Sequence, residues 1–370
     1  MRIIYVTTIG ITMGFFKSFI SELIEEGHTV DIATNDTNSP IPECYKKWGC
    51  KSFTLCTSRS PFSRDNLKAI YQIRDIVEKG KYDIVHCHTP LASICTRLAC
   101  RKMRKNGIRV IYTAHGFHFF KGAPIINWIL YYPMEKLCSH WTDILVTINQ
   151  EDYKLALKHM KAQKVFYVPG VGIDLHKFCR DDISKAEVSA KRKELGVKEN
   201  ERMILSVGEL IKRKNHESVI LALSRMKEKE WKYFICGAGP LENHLIDVIE
   251  KNGLQGRVFL LGFRRDINVL CASSDLFVFP SVQEGLPVAL MEAMAMNTFS
   301  LSSQIRGSEE LLNKEDMFSP TSIDDIEKHI RDYYFRKDIR ERIEANYERL
   351  KSFDIATVNK KMKEIYGIRG

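Results

Sequence analysis

The sequence predicts an α/β protein of two doubly wound parallel-sheet domains joined by a glycine-rich hinge. In the first half, short β-branched apolar runs alternate with helical patterns, which implies a parallel sheet covered on both faces. Pro169-Gly170-Val171-Gly172 then breaks the alternation. Beyond a charged helical stretch the alternation restarts. The length of 370 residues also suits two domains, at roughly 100–200 residues each.

The elements follow in order. Arg2 to Thr7 is a β-branched run and reads as a buried strand. Phe15 to Glu26 carries apolar residues at Phe16, Phe19, Ile20 and Leu23, a helical spacing stopped by Gly27. His28 to Ala33 is the next strand. Further strands fall near 82–86, 108–113, 144–148 and 164–168. After the hinge, residues 184–195 read as a helix, followed by strands at 203–207, 233–236, 258–261, 276–279 and 298–301. Residues 326–366 look helical. Ligands of such sheets bind beyond the carboxyl ends of the strands, so two domains facing each other make an interdomain cleft.

Composition excludes several classes. With 44% hydrophobic and 28% charged residues, the chain is neither disordered nor a coiled coil. No run of about 18 apolar residues is present, which excludes a spanning helix. Met1 to Thr8 lacks the basic flank and cleavage site of a signal peptide, so a cytoplasmic protein is expected. The ten cysteines form no C-x-x-C pair, which favours reduced, buried thiols over a zinc or redox motif. Residues 1–165 carry 23 Lys and Arg against 14 Asp and Glu, nearly all of the net charge of +10. A basic half suggests an anionic partner, either nucleic acid or an anionic lipid surface.

Four segments could carry chemistry. The densest runs from Phe277 through Glu284-Gly285-Leu286-Pro287 to Glu292. Pro287 suits the first turn of a helix running through Met294, whose N-terminal N–H groups can bind phosphate. Glu284 and Glu292 could both face a cleft; the plain alternative is a capping acid and a solvated acid. The second is Gly208-Glu209 with Lys212-Arg213-Lys214, cations beyond a strand end that can neutralise a diphosphate or simply form a solvated loop. The third, Gly237-Ala238-Gly239, lacks the last glycine of a dinucleotide fingerprint, because Glu242 stands there. The fourth is His115-Gly116, where a strand-end histidine is either a cleft residue or structural. His86 and His88 have no local carboxylate and make a poor metal site. No D-x-D motif occurs.

Together these residues resemble the family 4 retaining glycosyltransferases, which have the GT-B fold, and the resemblance covers nearly the whole chain. It rests on Glu284-x7-Glu292 within Pro280-Ser-x-x-Glu284-Gly285-x-Pro287, with Gly208-x5-Lys214, Gly237 to Gly239, Leu261-Gly-Phe-Arg264 and His115-Gly116 in the same order. The stretches Asp83 to Pro90 and Thr113 to Phe119 look like the capsule and exopolysaccharide branch.

The resemblance implies an acceptor-binding domain at 1–169, a nucleotide-sugar domain at 174–353 and a C-terminal helix at about 354–370 packing back on the first domain. It implies that Lys214 and the amides after Glu284 hold the donor diphosphate, with Arg213 in support where Glu209 replaces the family's usual arginine. Glu292 would take the ribose hydroxyls and Glu284 the transferred sugar. The backbone near Arg264 would read the base, Gly14 would admit the donor phosphate, and His115 would touch the sugar near the reacting carbon. Gly237, Gly239, Gly285 and Leu286 would line the donor site.

The expected reaction is retaining transfer from a UDP-sugar to a polyprenyl-diphosphate-linked saccharide, with no metal and no cofactor. A sugar-nucleotide epimerase or phosphorylase of the same shape is the alternative enzyme. A basic nucleic-acid-binding protein is the alternative of another class, but no recognition helix or RNP motif supports it. Arg97, Arg101, Lys102, Arg104 and Lys105 lie on one predicted helix and its end, near an aromatic and aliphatic stretch from Phe117 to Tyr132 whose helical part Pro124 and Pro133 bound. This segment is either a core helix or a surface lying on the anionic inner leaflet of the plasma membrane.

Overall fold

Seven parallel strands build the first sheet of the computed structural model, which describes residues 1–58, 60, 63–228 and 230–368. They are β1 (Arg2–Ile9), β2 (Thr29–Asn35), β3 (Ser52–Thr54), β4 (Ile84–His88), β5 (Arg109–Ala114), β6 (Ile144–Thr147) and β7 (Lys164–Tyr167). Their order is β3-β2-β1-β4-β5-β6-β7. β1 is buried from Ile3 to Thr8, as a strand covered on both faces must be. The order reverses between β1 and β4, so the first switch point lies beyond Ile9 and His88.

The second sheet holds β8 (Arg202–Val207), β9 (Trp231–Cys236), β10 (Val258–Gly262), β11 (Leu276–Phe279), β12 (Phe299–Ser303) and β13 (Met317–Phe318). Their order is β10-β9-β8-β11-β12-β13, again parallel. Its switch point lies between β8 and β11. The chain divides into two units, Met1–Val171 with Ile355–Gly370, and Gly172–Asp354.

The structure adds β3 and β13, edge strands of three and two residues too short to show a period. The helix expected from Phe15 begins at Lys17, because Gly10–Phe16 coils as a 3-10 turn. Gly10 anchors that turn: a Cβ there would sit 2.0 Å from the Ser39 carbonyl oxygen. The helical region at 326–366 is three helices, Ile323–Phe335, Ile339–Leu350 and Ile355–Tyr366. The last packs Val358, Met362, Ile365 and Tyr366 into the core of the first unit. Its Tyr366 hydroxyl meets the Tyr5 hydroxyl at 2.9 Å.

Pro133 does not end its helix, which runs from Ile125 to Ser139. Proline removes one intrahelical bond, to the carbonyl of Ile129. Ile129 is 61% exposed, so the missing bond falls on the open side of the helix.

Candidate functional site

The loops after β8, β9, β11 and β12 converge at the switch point of the second unit. The loop after β8 turns at Asn215, which adopts the left-handed region at φ 56°. Its side-chain amide donates to the carbonyls of Pro280 and Pro320. The Val282 N–H donates to the Arg213 carbonyl at 2.9 Å. These bonds place Arg213 and Lys214 against the loop that follows β11.

One carboxylate oxygen gathers them. Glu284 Oε1 accepts from Arg213 Nη1 at 2.5 Å, Lys214 Nζ at 2.8 Å and Ser281 Oγ at 2.8 Å. Two cations against one anion leave this corner with a net positive charge. The Lys214 ammonium also lies 5.1 Å from the centre of the Phe279 ring, which limits its motion. Arg306, buried on the loop after β12, donates to the Glu284 carbonyl. Three residues on, Pro287 caps the helix Val288–Ala295 rather than entering its first turn. That turn leaves N–H groups without intrahelical acceptors, beside Gly285 and Leu286. A surface combining free N–H groups with two cations suits a diphosphate.

The glycines here are required by close approach. A Cβ on Gly237, at φ 155°, would lie 1.9 Å from the Gly208 oxygen. One on Gly239 would lie 2.6 Å from the Leu210 oxygen, and one on Gly307 2.8 Å from the Gly285 oxygen. Gly14 is different: it is exposed, and a Cβ there meets nothing within 4 Å. The Arg264 guanidinium is spent on Asp266, at 2.8 and 2.6 Å. Glu209 is exposed.

Glu292 lies on the helix Val288–Ala295. Burial pushes its carboxyl up to about 7, opposed by the charge of Lys177. A carboxyl raised in the folded state binds its proton there while the unfolded chain has lost it. Its contribution is therefore full below the unfolded value and is lost as pH rises through about 7. We expect the stability of the native chain, relative to Glu292→Gln, to fall by ~1–3 kcal/mol between pH 5 and 8. Chemical denaturation at both pH values checks this; a constant difference would mean an ordinary carboxylate.

In the first unit, His115 follows β5 and is half-buried. Its Nε2 lies 3.1 Å from His88 Nδ1, and burial lowers its pKa to about 4. Gly116, at φ 119°, turns the chain so that the Phe117 N–H reaches Asp152. Thr89 holds a left-handed φ of 65°, uncommon for a β-branched residue. It sits at the switch point, held by the Thr8 N–H and hydroxyl at 3.1 and 2.6 Å. Such strain concentrates at functional sites. A cavity of about 330 Å³ opens there, lined by Thr8, Thr12, Thr89 and His118 together with the apolar Ile9 and Leu91, among others. Sequence reasoning gave no role to Thr89, Ser281 and Asn215, which stood inside its motifs, and missed Arg306. For Arg306-Gly307 the signal was available, as another glycine loop after a strand.

The basic cluster is corrected. Arg97 is buried, pairs with Glu135 at 2.9 Å and lies over the Tyr112 ring. Arg104 grips Asp143 with two nitrogens. Only Arg101, Lys102 and Lys105 of that group are exposed. The neighbouring helix Ile125–Ser139 is not a plain core helix. Trp128, Tyr131 and Tyr132 pack inward, while Ile125, Ile126, Ile129, Leu130 and Leu137 are exposed. Beside it lies an apolar groove of about 440 Å³, lined by Leu67, Ile70, Leu91, Ile94, Leu98 and Met134 among others. No helix among the described residues is long and apolar enough to cross a membrane.

The family described as Glycosyltransferase Family 4 matches residues 15–177, and Glycosyl transferases group 1 matches residues 187–349. The chain is 37% identical to EpsD of Bacillus subtilis (strain 168) over 268 residues, covering 71% of this chain and 69% of EpsD. It is 31% identical to the UDP-Gal:alpha-D-GlcNAc-diphosphoundecaprenol alpha-1,3-galactosyltransferase of Escherichia coli, covering 71% of this chain and 67% of that enzyme. Among solved structures, Anabaena Alr3699/HepE in complex with UDP and glucose superposes with a TM-score of 0.80 at 18% identity, over 99% of both chains. That likeness concerns the fold. The chain therefore belongs to glycosyltransferase family 4 and is a glycosyltransferase with the GT-B fold.

Proposed function

We propose that this glycosyltransferase moves a sugar, with retention, from a UDP-sugar to a saccharide carried on a polyprenyl diphosphate, in capsule, exopolysaccharide or O-antigen assembly. The carrying observation is the Arg213–Lys214–Glu284 corner at the switch point of the second unit. The name of the Escherichia coli relative, with UDP-Gal as donor and a diphosphoundecaprenol acceptor, supports the substrate classes.

The mechanism follows from charge. Breaking the sugar–phosphate bond leaves positive charge on the sugar and negative charge on the departing diphosphate. Lys214, Arg213 and the N–H groups beyond Glu284 stabilise the leaving group without a cofactor. Glu284 contacts the transferred sugar, His115 bonds that sugar near the reacting carbon, and ionised Glu292 accepts from the ribose. Because that role needs the carboxylate, donor KM should rise as pH falls below about 7. Chelation by EDTA should leave the rate unchanged.

The test is transfer of labelled sugar from a panel of UDP-sugars to undecaprenyl-diphosphate-GlcNAc. Acceptor-dependent incorporation from one UDP-sugar is expected. Conversion of the sugar nucleotide without acceptor use would overturn the reading.

The exposed apolar face of the helix Ile125–Ser139 would rest on the inner leaflet, with Arg101, Lys102 and Lys105 adding about 1 kcal/mol each near an anionic surface. We expect sedimentation with phosphatidylglycerol vesicles at low salt and release at high salt. The double change Ile125→Asp with Ile129→Asp should abolish it without changing Tm, since both side chains are exposed. Indifference to anionic vesicles at low salt would contradict membrane docking.

A further inference from the structure

A second histidine stands behind His115. His88 ends β4, next to β5, and its Nδ1 lies 3.1 Å from His115 Nε2. Two facing neutral imidazole nitrogens share one proton, so one donates and the other accepts. The direction is settled by the other nitrogen of His88. Its Nε2 is buried and has no partner among the described residues. A proton on Nε2 would bury an N–H with no acceptor, which folded proteins rarely tolerate; a bare, unused acceptor is tolerated more often.

We infer that His88 is a positioning residue that donates from Nδ1 to His115 Nε2, fixing His115 as the neutral Nδ1–H tautomer. His115 then meets its ligand as a hydrogen-bond donor and not as a proton-transfer group. This rests on the reading that His115 contacts the transferred sugar.

The surroundings hold the arrangement. The His88 ring stacks on Tyr5 from β1 at 5.2 Å and packs on Phe16 at 4.2 Å and His86 at 4.0 Å. His86 is itself tied to the Tyr366 hydroxyl at 2.5 Å and Thr113 Oγ1 at 2.8 Å. The titratable groups around His88 are therefore Tyr5, His86, His115 and Tyr366. A small cavity of about 40 Å³ borders His86, His88 and His115, and among the described residues no carboxylate or cation lines it. Protonating His115 would set N–H against N–H and force the His88 proton onto its partnerless Nε2. Burial pushes both rings the same way, His88 well below the ordinary histidine value.

Ring-nitrogen NMR of the intact, histidine-labelled protein at pH 7 tests this directly. The expected spectrum has His115 protonated at Nδ1 and bare at Nε2; protonation at Nε2 overturns the inference. Kinetics supply a second readout. His88→Leu removes the donor, and His88→Asn keeps an amide N–H near the Nδ1 position. His88→Leu should lower kcat about tenfold or more and bring a new inflection into the kcat/KM profile between pH 5 and 7. His88→Asn should recover most of that loss without the inflection. Equal losses in both variants, or no new inflection in His88→Leu, would overturn the inference. Near-normal activity of His115→Ala would instead remove the sugar-contact reading, and the tautomer measurement separates the two failures.

Discussion

Lys214→Ala is expected to lower kcat by about 100- to 1,000-fold while Tm barely moves. Losing one group that stabilises developing negative charge typically costs ~2.7–4 kcal/mol of barrier. Lys214 supplies a positive charge at the switch point, on a loop whose shape depends on Asn215 and backbone bonds instead. Fold and function therefore separate at this residue. Arg213 and Ser281 still hold Glu284 in the variant, so the carboxylate stays in place and the loss reports the missing cation. Steady-state kinetics with melting curves check this. A variant within a few-fold of the native rate would take Lys214 out of the diphosphate site.

Gly237→Ala should do the reverse and damage the fold first. Its Cβ would fall 1.9 Å from the Gly208 oxygen, and both partners are backbone. The loops after β8 and β9 would have to part, breaking the Leu210 N–H to Ala238 carbonyl bond. We expect a loss of ~2–4 kcal/mol in stability, from the strained backbone and the overlap together, with weaker donor binding as a consequence. Gly14→Ala is the control: the space around it is open, so Tm should hold, and any fall in activity would report a bound donor. Denaturant titration of both variants decides. Native stability in Gly237→Ala would show that the two loops can separate freely.

Much of the fold was legible because buried parallel strands announce themselves. Ile3 to Val6, Met203 to Leu205 and Leu276 to Phe279 are apolar or β-branched runs, and all are buried. The edge strands β3 and β13 stayed hidden because two or three residues carry no period. Pro133 misled because proline usually ends a helix, yet here the bond it removes falls at Ile129, on the exposed side of the helix. The corner residues Arg213, Lys214 and Glu284 stood out as charges beside strand ends. What one chain of letters cannot show is pairing across long separations. Arg97 with Glu135 and Arg104 with Asp143 looked like free surface charge until the fold brought their partners close. His88 was equally opaque, since its meaning depends on a ring 27 positions away.

The most direct measurement is proton NMR of the product formed from an α-linked UDP-sugar and undecaprenyl-diphosphate-GlcNAc. The account predicts an α-linked disaccharide on the lipid, one UDP released for each linkage made, and the same outcome with EDTA present. A β-linked product, or an altered sugar nucleotide released while the acceptor stays intact, would contradict it.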